Sequence, residues 1–211
     1  MAKKSITSEK IRFKNVRIAF VNLDKPTKFD PKKSDEEEAP KYRLQVLLDP
    51  TNAEHAKQIS FMQTEAKRIA EAYWDGQIPK SLEKCFGKGD DLDKVYAGYA
   101  GMVYCKAANR DLPPIVGTKK VNGTFMQLDP KDKEFPYAGC YCNVTVTLWT
   151  QDSHGRKAIN GNLLAVQFAG DGERFAGNSV ANADEEFEAL GDTPAGGGAA
   201  SSSGEKDPFD L

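Results

Sequence analysis

The sequence predicts a mainly β body over residues 1–180, a five-stranded Greek-key barrel with one long helix between its strands, and a disordered acidic tail over residues 181–211. Three observations predict it. Several segments alternate apolar and polar residues with the period of two that a half-buried strand requires. One segment repeats its apolar positions every three or four residues, as an amphipathic helix does. After Gly177 neither period survives, and Gly, Ala and Ser dominate.

Residues 10–23 alternate in two phases: Ile11 and Phe13 share one, Val16, Ile18 and Phe20 the other. A bulge near Lys14-Asn15 joins them into one long bent strand, the kind a small barrel needs to turn a corner. Residues 24–40 form a loop with three prolines, four lysines and the acidic run Asp35-Glu36-Glu37-Glu38; its charge pattern fits a lid or an exposed connector equally. Tyr42, Leu44, Val46 and Leu48 mark a second strand. Asp49 as N-cap and Pro50 at the first helical position open a helix over 50–74, which Asp75-Gly76 ends. Residues 76–100 are irregular. A third strand is expected near 101–108, followed by a break at Asn109–Pro114. The clearest strand is 139–151, with Cys140, Cys142, Val144, Val146 and Leu148 on one face and Tyr141, Asn143, Thr145, Thr147 and Trp149 on the other. A turn at Asp152–Gly155 leads to a fifth strand ending near Ala169. Five strands and one helix are compatible with an OB barrel, and also with other small barrels.

Charge divides the chain at the same place as periodicity. Residues 1–180 hold 28 Lys and Arg against 23 Asp and Glu, a net of +5, whereas residues 181–211 hold one Lys against eight acids, a net of −7. A basic body with an acidic tail points to a polyanion or a protein partner rather than to a small-molecule enzyme. No apolar run is long enough for a membrane span. No apolar stretch follows the N-terminal lysines, so an export signal is not expected and the four cysteines should remain reduced. The expected setting is cytoplasmic.

Catalytic motifs are absent. His55 and His154 lie in a helix turn and a hairpin turn, away from any nucleophile motif, and no phosphate loop or zinc-protease motif occurs. Cys140-x-Cys142 with Cys85 and Cys105 could supply four thiolates, but structural zinc sites present C-x₂₋₄-C pairs, and filling of the barrel interior is the preferred reading. No metal or cofactor is expected.

The outer strand faces are more informative. Tyr141 and Trp149, with Tyr104 and Lys106 on the third strand and Arg12, Lys14, Arg17 and Arg43 on the first two, interleave rings with cations. Single-stranded nucleic acid asks for this mixture, because bases stack on rings while cations follow the phosphates. Ordinary packing beneath the helix or long loops is the competing explanation. The tail favours the nucleic-acid reading, since an acidic end can occupy a basic groove until DNA displaces it. At the tip, Asp207, Pro208, Phe209, Asp210 and Leu211 have the composition of a tethered peptide ligand.

The segment Tyr137-Ala138-Gly139-Cys140-Tyr141, then Val166-Gln167, Asp171-Gly172-Glu173 and Phe175-Ala176-Gly177, with a weaker match at Pro113-Pro114-Ile115-Val116, resembles the phage-encoded single-stranded DNA-binding proteins with an OB fold. The resemblance covers about residues 8–178. It implies sequence-independent coating and protection of single-stranded DNA in phage replication and recombination, without catalysis or a nucleotide cofactor, in the host cytoplasm. The tip is similar to the acidic Pro-Phe end by which bacterial single-stranded DNA-binding proteins recruit partners, except that Asp210-Leu211 follows the Phe. Replication and recombination proteins are the partners this implies; a homodimer is left open. An RNA-binding OB module shares all these surface features, and a structural assembly protein of the phage is a second alternative.

Overall fold

The computed structural model describes residues 3–175 except Phe29, Glu37 and His154. The tail residues Asp207–Leu211 therefore lie outside the described residues. Strand β1 (Ile11–Thr27) is long because irregularities let it change phase. Its pairing with β8 (Tyr141–Ser153) slips between Phe13 and Val16, where Asn15 takes a φ of 51°. Ile11, Phe13, Val16 and Ile18 can therefore all point inward. A second slip, against β2 (Lys41–Leu48), falls between Ala19 and Asn22, and Phe20 there has a φ of 48°. The expectation that Phe20 continues the inward phase is thereby corrected: the second slip turns it out, and it is 44% exposed.

The five expected strands are β1, β2, β5 (Val103–Asn109), β8 and β9 (Arg156–Gly170). They run in the order β5-β2-β1-β8-β9, and a parallel contact of β5 with β9 at Ala108 and Asn162 closes the ring. This is the Greek-key barrel of an OB-like fold. Short strands complete the sheet: β3 (Glu83–Lys84) and β4 (Phe86–Lys88) arise in the stretch read as irregular, and β6 (Ile115–Val121) and β7 (Thr124–Gln127) form a hairpin that the alternation did not reveal. Closure brings two backbones very close. A Cβ on Gly161 would stand 2.3 Å from the Lys106 carbonyl oxygen, so only glycine fits there.

Helix α1 (Ala53–Tyr73) starts later than expected, because Asn52 is its N-cap: its side-chain oxygen accepts from the backbone N–H groups of Glu54 and His55. Asp49 instead accepts from the N–H and hydroxyl of Thr51, holding the turn that leads into the helix. At the other end Asp75 adopts φ 51° and the Gly76 N–H reaches back to the Glu71 carbonyl at 2.9 Å, a Schellman stop. Ile59, Met62, Ala66, Ile69 and Ala70 face the barrel core, together with Leu44, Val46, Cys105, Cys142, Val144, Val146, Leu148, Leu163 and Val166.

Buried Glu65 ties α1 to the segment before β1. Its carboxylate accepts from the Glu9 N–H at 2.7 Å and from two Arg68 nitrogens at 2.9 and 2.7 Å. The Arg68 hydrogen bonds, helped by the Glu9 N–H, hold the carboxyl below its ordinary pKa against the opposing effect of burial. A lowered folded pKa contributes stability above the unfolded value of about 4.3 that is lost as pH falls through the folded value. Glu65→Gln is expected to lower stability by about 1–2 kcal/mol near neutral pH by weakening charge-assisted bonds, and to lose less below pH ~4. Urea melts at the two pH values check this.

Candidate nucleic-acid interface

The barrel's outer face carries a trough of about 1110 Å³ where β2, β5 and the adjoining halves of β8 and β9 meet. Strand parity explains its lining. Cys105 and Ala107 take the inward positions of β5, leaving Lys106 and Ala108 outside; Leu148 and Thr150 point inward on β8, leaving Thr147, Trp149 and Gln151 on the trough side. Its cations are Lys41, Arg43, Lys84, Lys106, Arg110 and Arg156, against the acids Glu38, Glu83 and Asp111. Trp149 and the exposed ring of Phe20 supply its aromatic surface.

Part of this charge is already engaged. Arg156 pairs with Glu83 at 2.7 Å, and Arg43 donates to the Thr27 carbonyl and lies 3.8 Å from Glu38. The Arg43 Nε is buried with no hydrogen-bond partner among the described residues. Lys106 and Arg110 form no ion pair among the described residues. Burial, then the nearby Arg110 and Arg43, push the Lys41 ammonium below its ordinary pKa, with Glu38 opposing. Arg110 and Arg43 thus crowd Lys41 with like charge, and an anion entering beside them relieves that repulsion.

Of the residues singled out from the sequence, the trough collects Arg43, Lys106 and Trp149. Tyr104 sits beside it, half-buried against Ala19, Leu47 and Tyr99, with the Lys106 ammonium 5.2 Å from its ring centre; burial raises its phenol pKa. The open rings in this quarter are Phe20 and Tyr96, edge to face at 4.9 Å. Arg12 is exposed on β1 opposite Thr145, and Lys14 lies in the bulge with its N–H donating to Gln58 of α1; neither lines the trough.

Arg17 and Tyr141 lie elsewhere, in a clasp. Arg17 donates through Nε to the Gly139 carbonyl at 3.0 Å and through Nη2 to the Glu173 carbonyl, with its guanidinium 4.1 Å from the Phe175 ring centre and 5.9 Å from that of Tyr141. The Tyr137 hydroxyl has its one proton within reach of two acceptors, Asp171 Oδ1 at 3.1 Å and the Gly172 carbonyl at 3.0 Å, and accepts from the Gly172 N–H at 3.1 Å. Gly139, at φ 106°, has no room for a Cβ, which would meet the Glu173 carbonyl at 2.1 Å. The motifs Gly139-Cys140-Tyr141, Asp171-Gly172-Glu173 and Phe175 thus meet in one knot that ties the segment after β9 across β1.

Sequence reasoning missed Lys41, Lys84, Arg110, Arg156 and Phe20. The lysines and arginines lie near strand ends, where parity says little about direction. No group of three or more His, Cys, Asp or Glu side chains that could hold a metal ion occurs among the described residues. Cys140 and Cys142 place their sulfurs 3.6 Å apart inside the barrel. Among the described residues no helix is long and apolar enough to cross a membrane.

The family of the Enterobacter phage Enc34 single-stranded DNA-binding protein matches residues 9–196. The chain belongs to that family. A relative, putative protein p50 of Acyrthosiphon pisum secondary endosymbiont phage 1, is 32% identical over 193 residues, spanning 86% of this chain and 94% of its own. The Enc34 single-stranded DNA-binding protein solved with ssDNA shares the fold at a TM-score of 0.64 and 22% identity, over 79% of this chain and 89% of that one. A second structure of the same phage protein superimposes at a TM-score of 0.62 and 23% identity, over 84% of this chain and 90% of that one. Family and fold therefore agree with the barrel described above.

Proposed function

We propose that the chain binds single-stranded DNA in the trough without reading sequence, coats strands exposed in phage DNA replication and recombination, and catalyses no reaction. The observation that carries this reading is the trough itself: six cations against three acids, with the rings of Trp149 and Phe20 among its lining. Cations that track phosphates and rings that accept bases are the two requirements of sequence-tolerant binding. Membership of the Enc34 family, and the ssDNA held by the Enc34 protein, support the choice of DNA over RNA. In this reading the protein works in the host cytoplasm, and Asp207, Pro208, Phe209, Asp210 and Leu211 recruit replication and recombination proteins.

Fluorescence tests it directly. In a Trp74→Phe variant, Trp149 is the remaining tryptophan, and titration with oligothymidylate should quench its emission. Log affinity should fall with log salt by ~0.7 per neutralised phosphate. No binding in dilute buffer overturns the proposal; tighter binding of a matched oligouridylate transfers it to RNA. Removing residues 181–211, which carry a net −7, is expected to tighten binding at low salt by removing a competing polyanion.

A further inference from the structure

The β6–β7 hairpin stands apart from the barrel. It is joined to β9 by Ile115 opposite Val166 and Val116 opposite Gln167. Beyond Gly117, every residue of both its strands is exposed. Three of them are large and apolar, Val121 at 54%, Met126 at 50% and Phe125 at 39% exposure. The arm is stiff at its tip, because Asn122 (φ 50°) and Gly123 (φ 81°) form the left-handed pair of a type I′ turn. Lys120 holds its ammonium 4.5 Å from the centre of the Phe125 ring. Lys119 and Lys120 form no ion pair among the described residues, and Ile115–Gln127 contains no acid.

The strands of the arm set the Phe125 ring among cations and hold no acid of their own, which complements a polyanion with flat apolar groups; the Glu134 carboxylate lies only at the arm's base, against Gly117. A second copy of the arm is a poor match, since it would set Lys119 and Lys120 against the same lysines. The arm is also connected to the trough by one outward row of side chains. Trp149 and Thr147 line the trough. Thr145 and Asn143 continue the row along β8, Asn143 donates to the Gln167 side chain at 2.9 Å, and Gln167 donates to the Gly117 carbonyl at the arm's base. The six-residue step from Trp149 to Asn143 spans ~20 Å.

We infer that the β6–β7 arm is a second contact for single-stranded DNA, engaged only by strands long enough to leave the trough along β8. This rests on the proposed function and extends it. Phe125 stacks a base, and Lys119 and Lys120 neutralise phosphates.

The test compares full-length protein with a Lys119→Ala/Lys120→Ala/Phe125→Ala variant, and with a variant changed only at the two lysines, on oligothymidylates of about 6 and about 20 nucleotides. For the long oligomer, the triple variant is expected to lose at least about tenfold in affinity, and both variants should lose about 1.4 in salt slope, two phosphates' worth. Affinity for the short oligomer should not change. No loss with the long oligomer, or equal losses with both lengths, overturns the inference while leaving the trough reading in place. A change from dimer to monomer in sedimentation with unchanged DNA affinity assigns the arm to a second copy and overturns it too. Failure of the unaltered protein to bind either oligomer removes the DNA reading and this inference with it.

Discussion

Reversing two charges in the trough, Lys106→Glu with Arg110→Glu, is expected to weaken binding of a short oligothymidylate by about a hundredfold at low salt. Both side chains are exposed, and neither is paired among the described residues, so both are available to phosphate. Losing two phosphate contacts removes about 1.4 from the salt slope, and two new carboxylates repel the strand as well. The fold should not suffer. Arg110 helps to depress the Lys41 ammonium, so a carboxylate there favours the charged lysine and leaves thermal stability equal or slightly higher. Lys57→Glu with Lys67→Glu makes the same change in net charge on the exposed face of α1, where each lysine has only a loose carboxylate partner. Its effect should stay within a fewfold. Equal losses in both variants would mean that net charge, and not the trough, governs affinity.

Gly161→Ala is expected to produce a large loss of stability. The new methyl would stand 2.3 Å from the Lys106 carbonyl oxygen and 3.3 Å from the Ala107 Cα, both parts of the backbone that closes β5 on β9. No side chain can rotate away to make room, so the strands must separate. We expect about 3 kcal/mol, the upper end of the usual cost of overpacking, or a drop in Tm of roughly 6–12 °C. Gly170→Ala on the same strand is the control: a Cβ there has nothing within 4 Å, and its melting temperature should barely move. Because Gly161 and Lys106 both line the trough, parting the strands should also weaken DNA binding.

The long strands and the helix were legible because burial imposes a period on any element with one face in a core. The break in phase after Phe13 even located the first bulge. The β6–β7 hairpin was illegible for the opposite reason: exposed on both faces beyond Gly117, it has no alternation to read, and Asn122-Gly123 was its one local sign. Parity also placed Tyr104, Tyr141 and Trp149 on outward faces of their strands. It could not say what lies above those faces. Residues 89–102 pack Tyr99 against Tyr104, and the segment after β9 brings the Glu173 carbonyl and Phe175 onto Arg17. Phe20 was misplaced because a second slip in β1 depends on how β2 pairs with it, which nothing in residues 10–23 expresses.

The amino-acid order alone thus specifies which residues alternate into a core, where the helix runs, and that a basic body precedes an acidic tail, since these are local consequences of side-chain size, polarity and charge. Which outward residues share a surface is a different matter. Barrel closure brings Lys106 and Trp149 into one trough, although they are 43 positions apart in the sequence, and draws Arg17 and Tyr141 into a clasp. Such meetings depend on strand order, register and the backbone contact at Gly161, and folding alone creates them.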